Sequence, residues 1–196
     1  MLALLVKFFF SFIYTEKVHG LFNRVMIVAH SAWINKRLGT KFVRCLRGVV
    51  VSKNVVIGEE TILKEKVVVY CQDDYKDAKI TLGKKCWIGD LTFVSCINSI
   101  TIGDNFTTGR FCLITDNSHG EFSKNHLAIH PMQRPLVSKG PIVIGDNVWI
   151  GEGVTICGNV KIGNGVIVAA NSVVTHDVPD YCLVAGSPAK IVKQLN

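Results

Sequence analysis

A period of six governs the second half of this chain. Ile144, Ile150, Ile156, Ile162, Val168 and Val174 follow one another at six-residue intervals without a miss, each trailed by Gly145, Gly151, Cys157, Gly163, Ala169 or Thr175. A second apolar or small series, Val148, Val154, Val160, Val166, Ser172 and Val178, stands four residues after each member of the first. On an α-helix a step of six turns the chain by about 240°, which would scatter the series over three sides and bury none of them. On an extended strand six is a multiple of two, so every member faces the same way. The repeat therefore predicts extended chain with regular corners.

Shorter tracts repeat the pattern upstream. Leu82, Ile88, Val94 and Ile100 keep the interval, Ile102, Thr108 and Ile114 resume it after a two-residue slip near Asn98-Ser99, and a weaker tract begins at Ile57, Leu63 and Val69. Units this short can bury their aliphatic residues only against the next turn of the coil, so the expected fold is a solenoid, mainly β.

Residues 1–45 lack the repeat. They mix apolar and basic positions in a way that suits one or two helices ending in a turn at Gly39, so a division is expected between an N-terminal helical appendage, 1–45, and a β-helix domain, 46–192. The opening MLALLVKFFFSFIY is apolar but broken by Lys7 and shorter than the ~20 residues that span a bilayer. It has neither a basic leading region nor a small-residue cleavage site, and reads as an element packed on the protein or a partner subunit, with interfacial membrane contact as the other reading.

Composition narrows the partners. The net charge of +7 over 196 residues suits an anionic ligand or surface, but no basic run interleaved with aromatics argues for nucleic acid. Seven cysteines are scattered singly, without metal-finger or paired spacing, and read as small buried hydrophobes in a reducing, cytoplasmic setting.

The segments IGDNVW, IGEGVT, IGNGVI, LGKKCW and IGDNFT make the chain resemble the hexapeptide-repeat acyltransferases, over about residues 50–192. The resemblance implies a triangular left-handed parallel β-helix with three hexads per coil, acetyl-CoA as cosubstrate with no metal required, and a homotrimer with active sites between subunits.

The repeat breaks between Ile114 and Ile144, where a loop, 115–140, carries His119, His126 and His130. Acetyl transfer from a thioester to a hydroxyl needs a base for the alcohol proton, and histidine suits that task near neutral pH. By resemblance, His119 in ITDNSHG, upstream of PIVIGDNVWIG, holds the general-base position; His126 and His130 do not match it. Asp116, Glu121 or a backbone carbonyl could orient the ring. Trp149 matches the family's aromatic at the acetyl and sugar end, and Asp90 stands near a position where sugar-acetylating members carry a polar residue, beside Gly89, which cannot supply one. For coenzyme A the resemblance points to Gly151, Ala170 and Thr175 along the coil edge and to Lys190 or Lys193 near the 3′-phosphate.

The expected activity is O-acetylation of a sugar or of a polysaccharide- or lipid-linked saccharide. Acetylation of a xenobiotic or amino sugar is the near alternative. A zinc hydro-lyase resembling the γ-class carbonic anhydrases would have to ligate its metal through His119, His126 and His130, whose spacing does not resemble that family's, and a non-catalytic scaffold would need neither the loop nor the GSPAK closing segment. A serine acetyltransferase would carry a longer helical N-terminus.

Overall fold

The computed structural model describes residues 16–40 and 43–195. The apolar segment 1–14 lies outside the described residues. A helix, Glu16–Leu38, comes first and stops where Gly39 takes a left-handed φ of +65°, a conformation that suits glycine at a helix end.

From Arg44 onward the chain winds as a left-handed parallel β-helix with three faces. The first face stacks Arg44–Cys45, Ile62–Leu63, Trp87–Ile88, Thr107–Thr108, Trp149–Ile150, Ile167–Val168 and Cys182–Gly186. The second stacks Val50–Val51, Val68–Cys71, Phe93–Cys96, Leu113–Thr115, Thr155–Cys157 and Val173–Val174. The third stacks Val55–Ile57, Lys79–Leu82, Ser99–Ile102, Ile142–Ile144 and Val160–Ile162. All pairings between coils are parallel and in step, for example Leu113↔Phe93 and Leu113↔Thr155. A C-terminal strand, Ala189–Gln194, folds back antiparallel on Cys182–Gly186 and closes the first face.

The period of six now has its cause. Ile144, Ile150, Ile156, Ile162, Val168 and Val174 are the inward residues of successive faces, and all are buried. The second series, Val148, Val154, Val160, Val166, Ser172 and Val178, is buried as well and fills the prism toward its corners. In earlier coils Cys86 and Phe106 are buried in the column of Val148 and Val166, and Cys112 in that of Val154 and Ser172. All seven cysteines are free; six are buried and Cys157 is half-buried. They pack as small apolar side chains, and burial pushes the Cys45 thiol up to about 12.

The I-G-D/N element of the repeat is a corner device between the third and first faces. Gly83, Gly103, Gly145 and Gly163 lie so close to the next coil's backbone that a Cβ on Gly103 would fall 2.7 Å from the Gly145 carbonyl carbon. The side chain after Gly103, Gly145 and Gly163 accepts from the matching backbone amide of the coil before. Asp104 Oδ1 accepts from the Lys84 amide and Asp146 Oδ1 from that of Asp104, each at 2.7 Å. Asn164 Oδ1 then accepts from Asp146 and Asp180 Oδ1 from Asn164, each at 2.8 Å. A side-chain ladder thus satisfies corner amides that no strand reaches.

Candidate active site

Between the first and second faces, and between the third and first, every turn is short and regular. The corner between the second and third faces is different, because both departures from the repeat leave there. One is a bulge between Cys71 and Lys79; the other is a long arm between Thr115 and Ile142.

The arm is an ordered structure. Asn117–His119 pairs antiparallel with Leu136–Ser138, setting His119 opposite Leu136. Gly120 donates to the Pro135 carbonyl at 2.9 Å, and the Arg134 guanidinium donates through Nε to Ile129 O at 2.9 Å, so the tip is tied to its own stem. His119 sits at the end of the stem, exposed, and among the described residues no hydrogen bond engages its ring.

The other two loop histidines are used by the arm itself. His126 Nδ1 accepts from the Glu121 amide at 2.9 Å, and His130 Nδ1 accepts from Met132 N at 3.3 Å. Among the described residues no three His, Cys, Asp or Glu side chains group to hold a metal ion.

Asp116, at the root of the arm, is buried and faces away from His119. Its Oδ1 accepts from Ile97 N at 2.9 Å and its Oδ2 from Asn98 N at 2.8 Å, with the Asn117 amide and the Cys96 thiol as further donors. A carboxylate with two backbone amides and two side-chain donors is satisfied where it stands. Its observed contacts anchor the arm to the preceding coil, and none reaches the histidine.

Tyr75 is a residue that sequence patterning did not single out. It lies on the bulge between Cys71 and Lys79, packs partly on the core, and donates its hydroxyl to Leu136 O at 2.9 Å. Leu136 is the residue paired with His119. Two insertions two coils apart are therefore joined directly beside the histidine.

Trp149 stands on the outer side of the first face, between Thr107 and Ile167, and is 54% exposed. In a three-faced prism this face is opposite the corner from which the arm departs, so one chain does not bring Trp149 to its own His119. Asp90 occupies the corner between the first and second faces, where its Oδ1 accepts from Glu65 N at 2.9 Å. Along the same corner Arg110 Nε meets Glu152 Oε1 at 2.8 Å, an exposed pair that holds the Glu152 carboxyl below its ordinary range through its hydrogen bond and charge.

The residues expected near coenzyme A fall in three places. Gly151 and Ala170 are neighbours on that corner, where a Cβ on Gly151 would lie 2.6 Å from Ala170 N. Thr175 lies across the second face, its hydroxyl 2.9 Å from His176 Nδ1. Lys190 and Lys193 are exposed on the closing hairpin, opposite Ala185 and Leu183.

Coil, corner ladder and arm together define a left-handed β-helix of the hexapeptide-repeat class. Residues 141–176 match the family described as bacterial transferase hexapeptide (six repeats). In sequence the chain is similar to the putative lipopolysaccharide biosynthesis O-acetyl transferase WbbJ of Escherichia coli, 41% identical, with 56% of this chain matched to 57% of that protein. It is also similar to the galactoside O-acetyltransferase of E. coli, 31% identical over 62% of this chain and 66% of that one. The chain thus spans 57% and 66% of the length of these two curated relatives. Among solved structures, a hexapeptide-repeat-containing acetyltransferase from Vibrio cholerae, complexed with acetyl coenzyme A, superposes with a TM-score of 0.64 at 26% identity, covering 94% of this chain and 92% of that one. By repeat, fold and relatives, the chain resembles the hexapeptide-repeat acyltransferases.

Proposed function

We propose that this chain is an acetyl-CoA-dependent O-acetyltransferase whose acceptor is a hydroxyl of a saccharide, with His119 as general base. The observation that carries the reading is the exposed His119 ring on an anchored two-stranded arm, at the corner where the coil tolerates insertions. The named functions of the E. coli relatives and the acetyl coenzyme A in the V. cholerae structure support the same class of chemistry.

On this reading the acceptor oxygen attacks the thioester carbonyl while an unprotonated ring nitrogen of His119 takes its proton. The tetrahedral oxyanion is held by a backbone amide, the carbon–sulfur bond breaks, and the proton passes to the departing thiolate. No net redox change occurs, and the products are the acetyl ester and coenzyme A. Two small residues at the coil edge, half-buried Gly151 and exposed Ala170, let the pantetheine arm approach, and Lys190 or Lys193 supplies charge for the 3′-phosphate.

A homotrimer belongs to the proposal, because His119 and Trp149 lie on opposite sides of one prism. A neighbouring copy that sets its first face against the arm completes a pocket with the base on one wall and Trp149 and Asp90 on the other. The reading places the enzyme in the cytoplasm, where acetyl-CoA and nucleotide- or lipid-linked sugars meet.

The test is thiol release from acetyl-CoA against a panel of free, nucleotide-linked and lipid-linked sugars. Acceptor-dependent turnover is expected for the native chain, with a loss of about two orders of magnitude or more in His119→Ala and coenzyme A binding retained. Turnover undiminished in the variant removes His119 as base, and failure to bind coenzyme A removes the acetyltransferase reading.

A further inference from the structure

The helix Glu16–Leu38 is apolar on two sides, and the coil uses only one. The inner side carries Ile27, Ser31, Ile34, Asn35 and Leu38. Ile34 is buried, the Ser31 hydroxyl accepts from Cys45 N at 2.9 Å, and Asn35 Nδ2 donates to Val43 O at 2.9 Å. These contacts seat the helix on the first coil.

The outer side carries Val25, Val28, Ala29, Ala32, Trp33 and Lys36, at the three- and four-residue intervals that form one helical stripe. Val25 is 57% exposed, Val28 68% and Trp33 56%. Arg24 and Lys36 are exposed around this stripe, while the Arg37 guanidinium, 5.2 Å from the Trp33 ring centre, donates to Val51 O at 3.0 Å and ties that edge to the coil. A contiguous apolar stripe left on the outer side of a helix and rimmed by cations marks a contact surface.

The charge of the chain indicates what covers it. Residues 1–47 hold eight lysines and arginines against one acidic residue, Glu16, while the rest of the chain is balanced at fourteen against fourteen. The whole excess of +7 is therefore concentrated at the end that carries the bare stripe. In the sequence the segment Met1–Tyr14, apolar but for Lys7 and Ser11, precedes the same helix.

We infer that the outer stripe of this helix lies on an anionic lipid surface, with Trp33 and the valines at the acyl boundary and the flanking cations among the headgroup phosphates. A bilayer with anionic headgroups presents both partners at once, negative charge outside and hydrocarbon beneath. The same helix of a second copy is a poorer occupant, since pairing would oppose two strongly basic surfaces. No described helix is long and apolar enough to cross a membrane. The inference is independent of the catalytic reading, because none of these residues belongs to the proposed site.

The experiment is co-sedimentation of the full chain with phosphatidylcholine vesicles, with and without about one-third phosphatidylglycerol. Native protein is expected to bind the anionic vesicles, with weaker binding in high salt. Val25→Glu with Val28→Glu is expected to lower partitioning about tenfold or more, leaving thermal stability and thiol release with a soluble acceptor unchanged. Quenching by lipids brominated on their acyl chains should be lost with Trp33→Phe. Equal binding of native and double-variant protein would assign the contact to residues outside the stripe and overturn the inference. So would native protein that ignores both kinds of vesicle, or a double variant whose only change is a smaller assembly in size-exclusion chromatography.

Discussion

The Tyr75 hydroxyl donates to the Leu136 carbonyl at 2.9 Å, across a sequence separation of 61 residues. Leu136 is paired with His119, so a residue in the second coil holds the strand opposite the proposed base in the fourth.

Tyr75→Phe keeps the ring that packs on the core and removes only this hydrogen bond. On the proposed mechanism kcat should fall roughly 5- to 30-fold while the KM for acetyl-CoA changes little, corresponding to about 1–2 kcal/mol of lost positioning. Steady-state kinetics checks this, together with faster amide exchange at 117–119 and 136–138. Tyr75→Ala should be worse in stability as well as rate.

Asp116→Asn replaces an acceptor-only carboxylate with a group whose NH2 would face a backbone N–H, either Ile97 or Asn98. One amide is left unpaired in a buried corner, and a loss of about 2 kcal/mol in unfolding free energy is expected. Denaturant titration measures it. Hydrogen exchange should show the Ile97 and Asn98 amides opening first.

Gly103→Ala tests the corner ladder. The new methyl would press on the Gly145 carbonyl and on Asp146 Oδ1, and neither can move without shifting the next coil. A destabilisation of about 3 kcal/mol is expected, read as a lower Tm. An added methyl at Gly39, where nothing lies within 4 Å, meets no neighbour, and Gly39→Ala should suffer only from its left-handed φ.

The Arg110–Glu152 pair gives a pH signature. The guanidinium lowers the Glu152 pKa in the folded chain by hydrogen bonding first and by charge second. The pair's contribution is therefore present above the ordinary carboxylate range and is lost as pH falls through the depressed folded-state value. Any Tm difference between native protein and Arg110→Ala should shrink over that acidic window, and also in concentrated salt at neutral pH, because both partners are exposed.

The coil was legible in the sequence because its cause is local and periodic. An inward residue every sixth position, from Ile144 to Val174, is a direct print of three short faces around a narrow core. The arm was legible only as an interruption of that print. Its anchors were not, because Asp116 reaches amides 18 and 19 residues back and Tyr75 reaches Leu136 across two coils, distances that only the stacking of coils makes short. The outer stripe of the N-terminal helix was hidden for a different reason. With apolar residues on both sides, Val28 and Ile34 look equivalent in sequence and differ only in what the first coil happens to cover.

The side-chain ladder from Lys84 through Asp104, Asp146 and Asn164 to Asp180 has a consequence for how such a chain can change. One corner is zipped from coil to coil by glycine contacts and Asp or Asn oxygens, and a residue added there would throw every later rung out of step. The corner that bears the bulge and the arm has no such running zipper, so length can be gained or lost there while the prism stays in phase. Variation in this architecture is thereby channelled to the edge that presents His119, leaving the coil as a fixed ruler against which new acceptor-facing loops can be tried.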